Sequence, residues 1–180
     1  MLETLRKAFK IKDIRNRIFY TFLMLIVIRI GSQLPLPGVK GDVIADWFAN
    51  QGADGLNFFN AITGGSFEEM SVFALNITPY ITSSIIMQLL TIAIPKLEEM
   101  QKDGEDGRKK IAEITRYVTI VLALIQSTAM AIGFGRGNYL DKFDALHVIM
   151  MVTSLTAGSA VLMWIGERIT EKGVGNGISI

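Results

Sequence analysis

Asn76, Thr78, Thr82, Ser83, Ser84 and Gln88 are hydrogen-bonding side chains set into a stretch with no charge, LNITPYITSSIIMQLLTIAI, residues 75–94. Groups of this kind serve two purposes in an apolar helix. They line a water-filled path, or they tie the helix to its neighbours. Catalysis asks for more than they offer. There is no cysteine and a single histidine, His147, so thiolate sites and histidine-rich metal sites are excluded. No GxxxxGK[ST], HExxH or GxSxG pattern occurs. GVGNG at 173–177 is glycine-rich but follows an apolar run and a charged turn, not a strand, and so fails as a dinucleotide motif. No enzymatic activity and no cofactor has residue-level support. Ile77, Ile81 and Ile85 fall on one helical stripe, with Thr78, Thr82 and, nearby, Gln88 beside it. The residues alone leave open whether that surface lines a pore or packs on a neighbour.

The elements that hold these groups are membrane spans. Half of the 180 residues are apolar, and the charges cluster so that long runs are left bare. A helix needs about 20 apolar residues to cross the hydrocarbon core. The pattern predicts an all-α polytopic membrane bundle with spans at 18–36, 71–94, 114–135 and 146–166. Residues 1–17 form a basic amphipathic leader, and the apolar run after it lacks a cleavage signal and reads as retained. Arg29, near the end of the first span, reads as a side chain snorkelling to the headgroups or as a pairing partner inside a bundle.

The loops give an independent test. Residues 1–17 carry Arg6, Lys7, Lys10, Lys12, Arg15 and Arg17, and the loop 95–113 with its margin carries Lys96, Lys102, Arg108, Lys109, Lys110 and Arg116. The segment 167–180 adds Arg168 and Lys172, whereas 37–70 and 136–145 hold only Lys40, Arg136 and Lys142. Fourteen against three is a positive-inside bias that alternates correctly for four crossings with both ends in the cytoplasm. With 18 basic and 17 acidic residues overall, bulk charge gives no support for binding DNA.

Between the first two spans, DGLNFFNAITGGSFEEM (54–70) is apolar but broken by Gly64-Gly65 and closed by Glu68-Glu69. It is too short to span. The residues fit a re-entrant segment and an ordinary outer loop equally well. Small residues four apart, Ser154 with Gly158 and Ala131 with Gly135, provide faces for close helix packing.

Five stretches together resemble the SecY family, the channel-forming subunit of the bacterial protein translocon. They are LMLIVIRIGSQLPLPGV, FFNAITGGSF, FALNITPYITSSIIMQLL, DGEDGRKKIAEITRY and LMWIGERITEKGVGNGISI, in the family's order. The resemblance covers essentially the whole chain and implies the N-terminal portion of a ten-span inverted-repeat fold, with 167–180 leading into a fifth span. It implies a plug at 55–69, with Leu56, Phe58, Phe59, Ile62, Thr63, Gly64, Gly65 and Phe67. It implies that Ile77 and Ile81 belong to an apolar pore ring, and that Thr82, Ile85, Ile86 and Leu89 form one side of a lateral gate. Many bacterial members carry glycine where Asn76 stands and an aromatic where Ile62 stands. Arg108, Lys109 and Lys110 read as a positive-inside anchor or as a contact for the ribosome or SecA. Other partners implied are the C-terminal half of SecY, SecE, SecG, a nascent chain with its signal sequence, and membrane lipid. The implied location is the bacterial cytoplasmic membrane. The rival reading, drawn from the span count alone, is a self-contained four-helix transporter or scaffold. Against a transporter stands the absence of Asp and Glu from all four spans.

Overall fold

Thr115, Thr119, Ala123, Ser127, Ala131 and Gly135 recur every fourth residue, which places them on one face of a helix. In the computed structural model, which describes residues 11–39, 70–137 and 144–180, that face is the buried seam of the longest helix. The described helices are α1 (Lys12–Gly31), α2 (Thr78–Ala93), α3 (Pro95–Lys102), α4 (Glu105–Arg136) and α5 (Ala145–Lys172). Among the described residues there is no strand, and an antiparallel bridge joins Pro35 to Ser71.

α4 lies between α2 and α5, and its small residues let both approach closely. The Ser83 and Thr119 hydroxyls hydrogen-bond between α2 and α4, and those of Ser127 and Thr156 do so between α4 and α5 at 3.1 Å. Such interhelical bonds contribute on average about 0.6 kcal/mol each. α1 packs on α5 and shows Phe19, Phe22, Ile26 and Ile30 outward. A buried cluster of Leu36, Met70, Ala74, Leu75, Ala131, Met151 and Leu155 closes one end of the bundle.

α4 and α5 are each long and apolar enough to cross a membrane, and α2 with α3 qualifies as a pair bent by 101°. α1 falls short on composition, because every 18-residue window in it contains Arg15, Arg17 and Arg29. The helices also overrun the apolar windows. α1 begins at Lys12, inside the basic leader, and α4 begins at Glu105, nine residues before the apolar run. Glu105 and Asp106 in its first turn and Arg136 in its last complement the helix dipole. The basic loop is itself helical, since Pro95 bends the chain and opens α3. Ile94 before it is extended, as a residue preceding proline prefers.

The second span differs most from expectation. Its first seven residues are not α-helical: Ser71 holds the bridge to Pro35, residues 72–77 are turns, and the α-helix begins only at Thr78. Asn76 has φ +53, a left-handed conformation open to glycine and asparagine with little strain. Pro79 then sits in the first turn, where a missing N–H costs nothing. Ser71, Phe73, Ala74 and Leu75 are buried, so this irregular backbone runs through protein. Two contacts fix its course. A Cβ at Gly158 would lie 2.1 Å from the Val72 carbonyl oxygen, and one at Gly31 would lie 2.1 Å from the Phe73 ring.

Candidate functional site: the start and free face of α2

The irregular segment delivers Ile77 to a defined place. Asn76 Oδ1 accepts a hydrogen bond from the Ile77 N–H at 2.9 Å, and the Asn76 carbonyl accepts one from Ser159 Oγ at 3.0 Å. The chain is thereby tied to α5 two residues before α2 begins. Glycine at position 76 would satisfy the same φ but not the side-chain bond. Ile77 is half-buried and lines a cavity of about 370 Å³. Leu25 and Ile28 of α1, Leu162 and Ile169 of α5, and Ile178 and Ile180 form the rest of its apolar wall, and Asn76 and Ser179 make part of it polar.

From Ile77 onward, α2 has two faces. Pro79, Ser83, Met87 and Thr91 are buried, and Ser83 is bonded to α4. Ile81, Ile85, Ile86 and Leu89 are exposed, with 61% of Leu89 open, and no described element covers them. Thr82 is half-buried between the faces. The structure therefore separates Ile77 from Ile81: one lines a partly open cavity of mixed polarity and the other begins an exposed stripe. Ser84 and Gln88 take a third direction. With Tyr80, Thr91, Gln101 and Arg108, and with the apolar Met87 and Ile111, they line a cavity of about 230 Å³ and mixed polarity between α2 and α4. The hydrogen-bonding residues of this span thus divide, Ser83 serving packing and Ser84 and Gln88 a recess.

Arg108, Lys109 and Lys110 lie in the first turns of α4 and are exposed. Lys109 approaches Asp106 at 3.8 Å, an exposed pair of small energetic consequence. The eight plug positions, Leu56, Phe58, Phe59, Ile62, Thr63, Gly64, Gly65 and Phe67, lie outside the described residues.

Sequence reasoning missed one cluster. Arg116 Nε donates to Glu167 Oε1 at 2.8 Å, joining α4 to α5. Tyr80 lines the same open recess, about 610 Å³, together with Ala112, Thr170 and Asn176. Arg116 counts among the positive-inside charges, and Glu167 directly follows the fourth apolar window. Opposite charges at adjoining ends of consecutive spans were the available signal. Among the described residues no group of acidic or histidine side chains is arranged to hold a metal.

The architecture is that of solved protein-conducting channel subunits. It superposes on Sec61 from the canine ribosome–channel complex of the endoplasmic reticulum with a TM-score of 0.59 and 17% identity, over 91% of this chain and 34% of that one. It matches equally, at 0.59 and 18% identity, a SecY structure whose plug domain is described as stabilising the closed state; the match covers 91% of this chain and 33% of that one. The SecY family profile matches residues 71–180, and the chain belongs to the SecY family. The protein translocase subunit SecY of Pseudomonas aeruginosa is 45% identical over 94% of this chain and 38% of its own length. That of Bacillus subtilis is 44% identical over 100% of this chain and 42% of its own length. The chain spans about two fifths of the length of the curated relatives it matches.

Proposed function

We propose that this chain forms the N-terminal half of a protein-conducting channel in the bacterial cytoplasmic membrane, with its N-terminus in the cytoplasm. The observation that carries the reading is the split character of α2. One face is fastened to α4 through small residues, while the other presents Ile81, Ile85, Ile86 and Leu89 to no described partner. A second half-channel across this face completes a lateral gate. Ile77 and Ile81 then belong to the apolar ring at the neck, which excludes water when closed. Residues 55–69 act as the plug.

The channel is passive: it transports unfolded secretory chains and releases signal-anchored segments sideways into lipid, and the driving force comes from SecA or the ribosome. SecE and SecG are the expected neighbouring subunits. Arg108, Lys109 and Lys110 hold the loop on the basic side of the membrane. No step in this account requires a catalytic residue or a cofactor. Relatives named translocase subunits and channel-fold neighbours support the reading.

The test is reconstitution. Vesicles holding this chain together with the remaining SecY segment from Bacillus subtilis, SecE and SecA are expected to take up a preprotein into a protease-protected space. Vesicles with either half alone are expected not to. Uptake by this chain alone would overturn the half-channel reading.

A further inference from the structure

GVGNG, residues 173–177, serves no nucleotide, and the channel reading leaves it without a role. The structure gives each of its glycines a separate reason. Gly173 has φ −97, which any residue adopts, yet a Cβ there would lie 2.6 Å from Thr21 Oγ1 and 2.6 Å from the Ile169 carbonyl oxygen. It is glycine for close approach. Gly175 has φ +77 and is glycine for conformation. A Cβ at Gly177 would lie 2.2 Å from the Gly166 carbonyl oxygen, so this end is pressed onto α5.

Hydrogen bonds complete the contact. The Val174 N–H donates to Thr21 Oγ1 at 3.1 Å, the Gly177 N–H donates to Thr170 Oγ1 at 3.0 Å, and Arg17 Nη1 reaches the Gly173 carbonyl at 3.4 Å. Thr21 is buried in a helix that otherwise shows large apolar residues outward. Its own proton goes to the Arg17 carbonyl at 2.9 Å, which leaves the oxygen free to accept from Val174.

The position of this contact gives it a consequence. Leu25 and Ile28 follow Thr21 by four and seven residues, on the same side of α1, and line the cavity that Ile77 faces. Ile178, the residue after GVGNG, lines the same cavity from another wall. We propose that Thr21 is a positioning residue that clasps 173–174 to α1 and so fixes the separation of these two walls around Ile77. Its effect on conduction rests on the channel reading; the clasp itself does not.

The experiment uses the chain completed with the remaining SecY segment. Spin labels are placed on cysteines introduced at Ile26 and at Ile180, both exposed and the second on the rim of the cavity, in a background where this chain contributes no cysteine and any in the added segment are replaced by serine. Thr21→Val, which keeps the shape and removes the acceptor, is expected to lengthen and broaden the measured separation. Amide exchange at Val174 should quicken about tenfold, the shift expected when a part-buried donor loses its partner. Thr21→Ser should restore both readouts, which a requirement for shape alone would not do. An unchanged separation in Thr21→Val overturns the proposal, as does failure of serine to restore it. Resting ion conductance is read in parallel. A widened separation with unmoved conductance removes the cavity from the conducting path and counts against the channel reading, while the clasp stands.

Discussion

On one face of α2, Pro79, Ser83, Met87 and Thr91 are buried, and on the other Ile81, Ile85, Leu89 and Ile92 lie open. A helix in a water-soluble protein turns its large aliphatic side chains inward and its hydroxyls outward. α2 does the reverse with Ser83 and its isoleucines. The difference teaches what holds this bundle together. Where the surroundings are as apolar as the side chains, burying an isoleucine gains little, and helices associate through small residues that permit close contact. The buried face of α2 is therefore the structural one, and the open face is left for a partner or for lipid.

That contrast can be broken in order of expected effect. Gly158→Val forces a side chain into the Val72 carbonyl and displaces the segment that carries Ile77. It should cost about 3 kcal/mol, read as loss of protease resistance in bicelles. Ser83→Leu puts an aliphatic residue on the packed face and should cost about 2 kcal/mol by overpacking the α2–α4 seam. At the start of α2, Asn76→Val should cost about 1–2 kcal/mol through its left-handed backbone, and Asn76→Gly should be nearly silent in the same assay. Ser83→Ala should cost only about 0.6 kcal/mol, because it removes one interhelical bond without adding volume.

Arg116→Ala should cost about 0.5 kcal/mol, a figure reduced for solvent because the arginine side chain is 45% exposed. The charge-reversed pair Arg116→Glu with Glu167→Arg should recover most of it. Smallest for stability is Ile85→Ala on the open face, at under about 0.5 kcal/mol for this chain by itself. The same substitution should weaken association with the remaining SecY segment, measured by co-purification. If Ile85→Ala destabilises the chain as much as Ser83→Leu, the two faces are not different in kind.

Much of this was legible in the sequence, for identifiable reasons. Charge-free runs located α2, α4 and α5, because a hydrocarbon core tolerates few ionised groups. Helix ends were not legible from the same signal. Lys109, Lys110 and Arg116 precede the charge-free run of α4, while the helix itself extends back to Glu105 on dipole-compatible acids. The seven irregular residues before α2 were read as span because their apolar side chains are buried in protein, and burial in protein and in lipid select the same residue types. The hydroxyls of α2 were ambiguous for a related reason. Ser83 and Ser84 are adjacent in sequence, and only the helix phase relative to α4 sends one into a seam and the other into a recess. Periodicity placed Ile77 and Ile81 on one stripe with Ile85, and family resemblance supplied their role as a ring. Those two residues lie on different surfaces of the described chain.

That pairing is the account's central claim, and one measurement reaches it directly. Single cysteines at Ile77 and Ile81, with Phe19 and Val121 as exposed positions on other helices, are placed in the completed channel holding a stalled preprotein. Crosslinks to the preprotein from 77 and 81, and none from 19 or 121, are the predicted result. Crosslinking from 81 alone, or equally from all four positions, would contradict a shared apolar ring and leave Ile77 as a packing residue of the cavity it lines.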